Sequence, residues 1–234
     1  MTDQSVLLAG LALLSLALPV GWAWWQKRQG ETGINEQWLS STARFIYGIG
    51  LPYLALIAGL LPPRFLGLKG LETIMALDLS GHGANLQKAV TLLLLECLAD
   101  GGIVIRLGLA ALLLALGLRW GLARLNLESL PSGWSIREII YDGLHWAFYY
   151  AIFWALTGDL YLGVVGGMLW VLLEGALVAW AQRDTPASRL PLLIKTVILI
   201  LTATIFFYAP NLWLLWPVHG GLAFIGTRRG SGPG

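Results

Sequence analysis

The chain has 234 residues, of which 57% are hydrophobic and only 12% are charged. A soluble globular domain usually carries about a quarter charged residues, so this chain lacks the polar side chains of a solvated surface. Composition therefore predicts a membrane protein and excludes soluble enzymes, disulfide-rich secreted domains and disordered chains. The net charge of +2 gives no electrostatic case for a nucleic-acid partner. Because Cys97 is the single cysteine, we expect neither an intrachain disulfide nor a cysteine metal site.

Apolar stretches follow one another along the chain, and an α-helix of about 20 residues crosses the ~30 Å hydrocarbon core. The first stretch has Asp3 before it and Lys27 and Arg28 after it, the opposite of a secretory signal, so we expect it to be retained. The sequence predicts an all-α fold, a polytopic transmembrane helical bundle of six to seven spans in one domain, 1–234. The predicted spans are about 5–25, 42–61, 89–118, 136–157, 160–181 and 192–208, with a short segment, 212–225, that crosses or half-crosses.

Three details of these segments are specific predictions. Pro62 and Pro63 are expected to end the second span, because proline removes a backbone donor and disfavours helix before it. In the loop that follows, Leu71 to Leu79 fits a short helix lying on the membrane. The third stretch contains Gly101 and Gly102, so it is either one tilted helix, which we favour, or a helix broken at the glycine pair.

The positions of the basic residues predict the orientation, since cytoplasmic loops are enriched in Lys and Arg. With the N-terminus outside, 11 of the 15 basic residues fall on the inner side. These are Lys27, Arg28, Arg44, Arg119, Arg124, Arg137, Arg183, Arg189, Lys195, Arg228 and Arg229; Arg64, Lys69 and Lys88 fall outside, and Arg106 lies within the third span. We therefore expect a multi-pass protein of the cell membrane, in contact with the lipid bilayer, with an outer N-terminus and a cytoplasmic C-terminus.

Ionisable side chains within the spans are the candidate site residues, since charge at membrane depth is costly and such groups face protein or water. Glu138, Asp142, His145 and Tyr149 fall on one face of the fourth span. Asp142 and His145 would suit a carboxylate–imidazole pair for proton transfer, or a metal site with a ligand from another helix. We favour the alternative, in which these groups satisfy one another as polar links between helices.

Further polar groups lie in the third and fifth spans. Glu96 and Asp100 share a face, whereas Arg106 points elsewhere and is expected to pair with a different helix or to reach the interface. Glu174 is a lone carboxylate, functional by default and structural if it has a partner; it or His219 would complete a metal site with the fourth span. The predicted intramembrane polar cluster comprises Glu96, Asp100, Arg106, Asp142, His145, Tyr149 and Glu174. No cofactor or metal is assigned, because no HExxH, GxSxG, Walker or CxxC motif is present.

The stretch from Trp134 to Gly143 and the run from Asn211 to Ala223 resemble the EExxxR and closing HxxxN segments of the CPBP intramembrane proteases, the CAAX-processing and bacteriocin-processing proteins. Three positions depart from those motifs. Arg137 stands at the first glutamate, Asp142 stands at the arginine, and Ala223 stands at the asparagine.

If the chain cleaves peptides as that family does, the resemblance assigns the chemistry to Glu138, His145, Glu174 or His219. The family's intervening FxxxH would fall near Gly166 to Trp170, where this chain has no histidine. A base without its acid and orienting partners lacks the machinery that activates water. The resemblance therefore implies a degenerate member with a non-proteolytic role.

The leading hypothesis is a non-catalytic integral membrane protein that packs as an accessory or scaffold subunit against other membrane proteins. Small and aromatic residues are frequent, including 29 glycines, and no separate soluble module is visible. One alternative is a divergent CPBP-like glutamate intramembrane protease. Another is a small proton-coupled carrier that uses Glu96, Asp100 and Glu174.

Overall fold

The computed structural model describes residues 3–29, 41–71, 83–124, 135–182 and 189–226. Within these ranges the chain is helical and has no strand, which confirms the predicted all-α fold class. A π-helical turn, Ile46–Gly50, precedes α2, and a 3-10 turn, Pro63–Leu66, follows it. The α-helices are α1 Asp3–Gln29, α2 Leu51–Ile57, α3 Gly83–Arg124, α4 Ile136–Thr157, α5 Leu160–Ala181, α6 Arg189–Tyr208 and α7 Leu212–Ile225.

Four segments in the described ranges are long and apolar enough to cross a membrane: Asp3–Gln26, Val90–Leu122, Leu160–Ala181 and Leu190–Tyr208. They lie in α1, α3, α5 and α6. α7 is apolar but shorter. α4 has 22 residues, but it is not among the four, and its first two turns carry several charged side chains. The helices support a membrane protein, and they do not establish the predicted number of six to seven spans.

Two segments differ most from the predictions in their bounds. The helix of the second span ends at Ile57, before the two prolines, because Gly59 takes a left-handed conformation with a φ of 68°. The third stretch is one continuous helix of 42 residues, Gly83–Arg124, which extends beyond the predicted ends. Gly101 and Gly102 do not break it. Most of the predicted surface helix, 72–79, lies outside the described residues.

α4 is the central helix of the bundle. It packs against α1, α5 and α7 and against both of the short helical turns. Every residue from His145 to Ile152 is buried. Its start is fixed by a capping box, in which Ser135 Oγ accepts from the Glu138 amide and the Glu138 carboxylate accepts from the Ser135 amide. The central position of α4 explains why its polar side chains meet partners from several helices.

The α4–α5 hairpin is closely packed because α5 presents glycines to α4. A Cβ on Gly167 would lie 2.6 Å from the backbone nitrogen of Tyr150, and one on Gly163 would lie 2.6 Å from Cβ of Trp154. Real Cβ atoms do not approach neighbours so closely, so only glycine permits this separation of the helices. The short separation brings the polar side chains of α4 and α5 within hydrogen-bond reach.

Candidate functional site

Glu174 is the centre of a polar cluster between α4, α5 and the π-helical turn. Its Oε2 accepts a hydrogen bond of 2.7 Å from the Tyr149 hydroxyl and lies 3.3 Å from His145 Nε2. Its Oε1 accepts from the hydroxyl of Tyr47. The side chain of His145 is 3% exposed and that of Glu174 is 14% exposed, so the cluster lies in the interior. We call these four residues the Glu174 cluster.

The backbone of the π-helical turn supplies the second contact of His145. Nδ1 lies 3.2 Å from the carbonyl oxygen of Tyr47. In a π-helix that oxygen would accept from the amide five residues on, which is the position of Pro52, and proline has no N–H. The amide of Leu51, which would bond to the Tyr47 carbonyl in an α-helix, bonds to Ile46 O. The Tyr47 carbonyl is therefore left for the imidazole.

This geometry assigns the protons of the cluster. A carbonyl oxygen only accepts, so Nδ1 of His145 carries a hydrogen that it donates to Tyr47 O. Nε2 then faces a carboxylate oxygen of Glu174, and a hydrogen bond between these two atoms requires a proton that one of them holds. The pair is thus either imidazolium with carboxylate or imidazole with carboxylic acid. Chemically, it can store one proton and exchange it between two adjacent helices.

Aromatic rings hold the imidazole of His145 in place. The Tyr47 ring lies 3.8 Å from it, centroid to centroid, at an interplanar angle of 34°. The Tyr149 ring meets its edge at 4.6 Å and 75°. Both tyrosines therefore contact Glu174 through their hydroxyl groups and His145 through their rings. The arrangement fixes the imidazole orientation that the hydrogen bonds require.

Asp142 pairs with α6 and not with His145. The Nζ atom of Lys195 lies 3.0 Å and 3.1 Å from the two carboxylate oxygens of Asp142. Lys195 also lies over the ring of Trp146, and His219 stacks on that ring with a centroid separation of 4.8 Å. The carboxylate–imidazole pair that the sequence suggested is therefore formed by Glu174 and His145, one helix away from Asp142.

Glu138 lies at the start of α4, and its contacts are with residues outside the Glu174 cluster. Besides forming the capping box with Ser135, its carboxylate accepts from Arg44 Nη1 at 3.3 Å. The neighbouring Arg137 donates to Ser41 Oγ at 3.2 Å. Both contacts are exposed, so they hold the segment before the π-helical turn against the start of α4 without forming an enclosed site.

Asp100 belongs to a separate polar cluster, which joins α3 to the turn before α7. It accepts from Lys69 Nζ at 2.7 Å and from Asn211 Nδ2 at 3.0 Å. Asn211 also caps α7 by accepting from the Leu214 amide. Next to this cluster, the Leu212 amide donates to the carbonyl oxygen of Gly67 at 2.8 Å. The cluster links the chain after α2 to two helices distant in sequence.

The other two polar residues of α3 do not join Asp100. Glu96 is exposed on the helix surface. Arg106 is also exposed, and its Nε donates to the carbonyl oxygen of Gly102 in the same helix at 2.8 Å. The structure therefore separates Glu96, Asp100 and Arg106, which a carrier with a continuous polar path along α3 would have brought together.

Four partner residues were not among the candidates that the sequence pattern indicated: Tyr47, Lys69, Lys195 and Asn211. Lys195 had a usable signal, since it lies inside the apolar run of α6, where a charged side chain needs a partner. Tyr47 had none, because both its hydroxyl contact with Glu174 and its carbonyl contact with His145 arise from an irregular turn. Among the described residues, no group of three or more His, Cys, Asp or Glu side chains is placed to hold a metal ion.

Comparisons with known proteins add no relative to this description. No family model matches the chain, and neither curated proteins nor solved structures show a significant similarity to it.

Proposed function

We propose that the protein is a non-catalytic subunit of a membrane complex, a helical scaffold that packs against other membrane proteins. Its orientation follows the basic residues, with the N-terminus outside the cell membrane, the C-terminus in the cytoplasm and several passes between them. In this proposal the resemblance to the CPBP proteases reflects a distant relationship in which the proteolytic activity has been lost.

The observation that carries this proposal is that both oxygens of the Glu174 carboxylate have hydrogen-bond partners within the protein. Its two oxygens accept from the hydroxyls of Tyr47 and Tyr149, and Oε2 also lies 3.3 Å from Nε2 of His145; these partners belong to two other segments of the chain. A carboxylate that acts as a general base needs a lone pair directed at substrate or water. Here the donors around Glu174 come from the protein itself, an arrangement that fastens helices together.

The outer surfaces of α1 and α3 support a role in packing. Many large apolar side chains of both helices are exposed, among them Leu13, Trp24 and Leu113. Gly21 and Gly117 have open space where a Cβ would stand, so they serve no contact within the described residues. Because transmembrane helices associate through close packing of small residues, such positions suit a neighbouring helix.

A second candidate is a divergent intramembrane hydrolase, favoured by the proton that His145 and Glu174 share. Such a pair is suited to acid–base chemistry. The other residues that the family resemblance assigned are engaged elsewhere, since Glu138 caps α4 and His219 stacks on Trp146. The small proton-coupled carrier is the weaker alternative, because Glu96, Asp100 and Glu174 lie in separate environments.

The test of the proposed function is isolation of the native complex. The tagged chain is purified from its own membranes in mild detergent, co-migrating subunits are identified by mass spectrometry, and each is co-expressed for a reciprocal pull-down. We expect a complex of fixed stoichiometry that Glu174→Gln and Glu138→Gln leave intact. A monodisperse monomer without a reciprocal partner contradicts the scaffold.

The same variants decide between the scaffold and the hydrolase. Glutamine keeps the size and most of the hydrogen-bonding capacity of glutamate but cannot serve as a general base. If Glu174→Gln accumulates normally, keeps its complex and still complements a deletion strain, the scaffold stands. If it accumulates normally and fails to complement, the hydrolase replaces it.

A further inference from the structure

Arg106 lies at the midpoint of the longest apolar segment in the described chain, Val90–Leu122. Its side chain is exposed on the outside of α3. Leu109 and Leu113 follow on the same face, three and seven residues further along, and both are more than half exposed. A permanent positive charge thus stands in the middle of an apolar helix face.

The contacts of Arg106 are incomplete within the described chain. Nε donates to Gly102 O, and no carboxylate of the described ranges forms an ion pair with the guanidinium. Three other basic residues of the described chain do have a carboxylate partner: Lys69 has Asp100, Arg44 has Glu138 and Lys195 has Asp142. Arg106 is distinguished from them by its position at the midpoint of the long apolar segment Val90–Leu122.

Hydrocarbon chains offer no hydrogen-bond acceptor, so the acceptor for the Arg106 Nη groups must come from outside the described chain. A second copy inserted in the same orientation would bring Arg106 towards Arg106, because a two-fold axis along the membrane normal keeps equal depth. Glu96 of such a copy would lie about 15 Å away along the helix axis. A carboxylate on a different protein can lie at the depth of Arg106 without placing a second arginine beside it.

We propose that Arg106 is the docking point for a transmembrane helix of a partner protein, and that this helix carries an Asp or Glu at matching depth. The carboxylate and the guanidinium form a bidentate ion pair away from water. The proposal rests on the scaffold function and specifies the chemistry of its interface. Gly102 assists the approach, since a Cβ there would meet only the Arg106 side chain, at 3.6 Å.

The test uses a defined probe in place of the natural partner. The full chain is reconstituted in phosphatidylcholine vesicles with a synthetic transmembrane peptide, a leucine–alanine helix bearing one central Glu, and association is measured by energy transfer. The matched peptide carries Gln instead. We expect the Glu peptide to bind about tenfold more tightly than the Gln peptide, the preference that a charge-assisted pair confers.

Variants locate the effect on Arg106. Arg106→Leu is expected to abolish the preference for Glu, and Arg106→Lys to keep part of it. The matched control is Arg124→Leu, since Arg124 is exposed at the end of the same helix and lies over the ring of Trp120. This control should retain the full preference. Circular dichroism and thermal unfolding of each variant verify that the fold is retained.

Two results obtained with the purified chain would overturn the inference. One is equal binding of the Glu and Gln peptides to the wild-type chain. The other is a phospholipid that native mass spectrometry finds on the wild type and not on Arg106→Leu, with no preference among peptides; the acceptor is then a lipid phosphate. If the native complex survives Arg106→Leu, the docking point is wrong and the scaffold function stands. If the peptides discriminate but no native complex exists, the scaffold function fails alone.

Discussion

Tyr149 donates a hydrogen bond of 2.7 Å from its hydroxyl group to Oε2 of Glu174, which joins α4 to α5 in the interior of the bundle. The same oxygen lies 3.3 Å from His145 Nε2, so two successive turns of α4 bind one carboxylate of α5. The other carboxylate oxygen binds Tyr47, from the segment before α2. One side chain thus fixes three parts of the chain relative to one another.

Glu174→Leu is expected to lower the stability of the protein more than Glu174→Gln. Leucine leaves the Tyr47 and Tyr149 hydroxyls and the His145 imidazole without their hydrogen-bond partner, at a cost of roughly 1–3 kcal/mol for each group that stays buried and unsatisfied. Glutamine retains one acceptor oxygen. The measurement is thermal unfolding in detergent. Glu96→Leu is the control, since Glu96 is exposed and should change little; equal losses for Glu174→Leu and Glu96→Leu would contradict the structural role.

The abundance of the folded protein is expected to depend on the ion pair between Asp142 and Lys195. Asp142→Leu or Lys195→Met alone leaves a partly buried charge without its partner, whereas the double variant removes both charges. We therefore expect each single variant to lower abundance several-fold and the double variant to recover part of it. A double-mutant cycle on unfolding free energies should give a coupling of about 0.5–3 kcal/mol. Additive losses would show that the ion pair contributes nothing.

Gly167→Ala is expected to destabilise the α4–α5 hairpin. The added Cβ would lie 2.6 Å from the backbone of Tyr150, so the helices must separate, and the Glu174 cluster would lengthen with them. Overpacking of this kind costs typically about 1–3 kcal/mol. Gly21→Ala serves as the control, because nothing lies within 4 Å of the position that its Cβ would take, and alanine favours helix. A stable Gly167→Ala protein would mean that the two helices pack less closely than described.

The orientation is tested by labelling a cysteine placed at Gly158, in a Cys97→Ala background. Gly158 lies in the turn between α4 and α5, where no basic residue stands, and the positive-inside rule places this turn outside. A membrane-impermeant thiol reagent should therefore label it in intact cells. Labelling only after the cells are opened would reverse the proposed topology.

The local sequence determined the class of fold and several helix ends. Composition alone predicts apolar helices, and Ser135, Asp159 and Asn211 each occupy the N-cap position that their side chains favour. Gly158 ends α4 in a left-handed conformation, as glycine after a helix commonly does. These features depend on residues a few positions apart, so they can be predicted without knowledge of the rest of the chain.

The tertiary structure decided which polar groups meet. Helical periodicity correctly places Asp142, His145 and Tyr149 on one side of α4, but it cannot tell that Asp142 faces Lys195 on α6 while the other two face Glu174 on α5. Nor can it tell that the carbonyl of Tyr47, 98 positions from His145, binds that imidazole. These pairings are set by the distances between helices, which depend on how closely whole helix faces pack, and a single sequence records only the spacing along each helix.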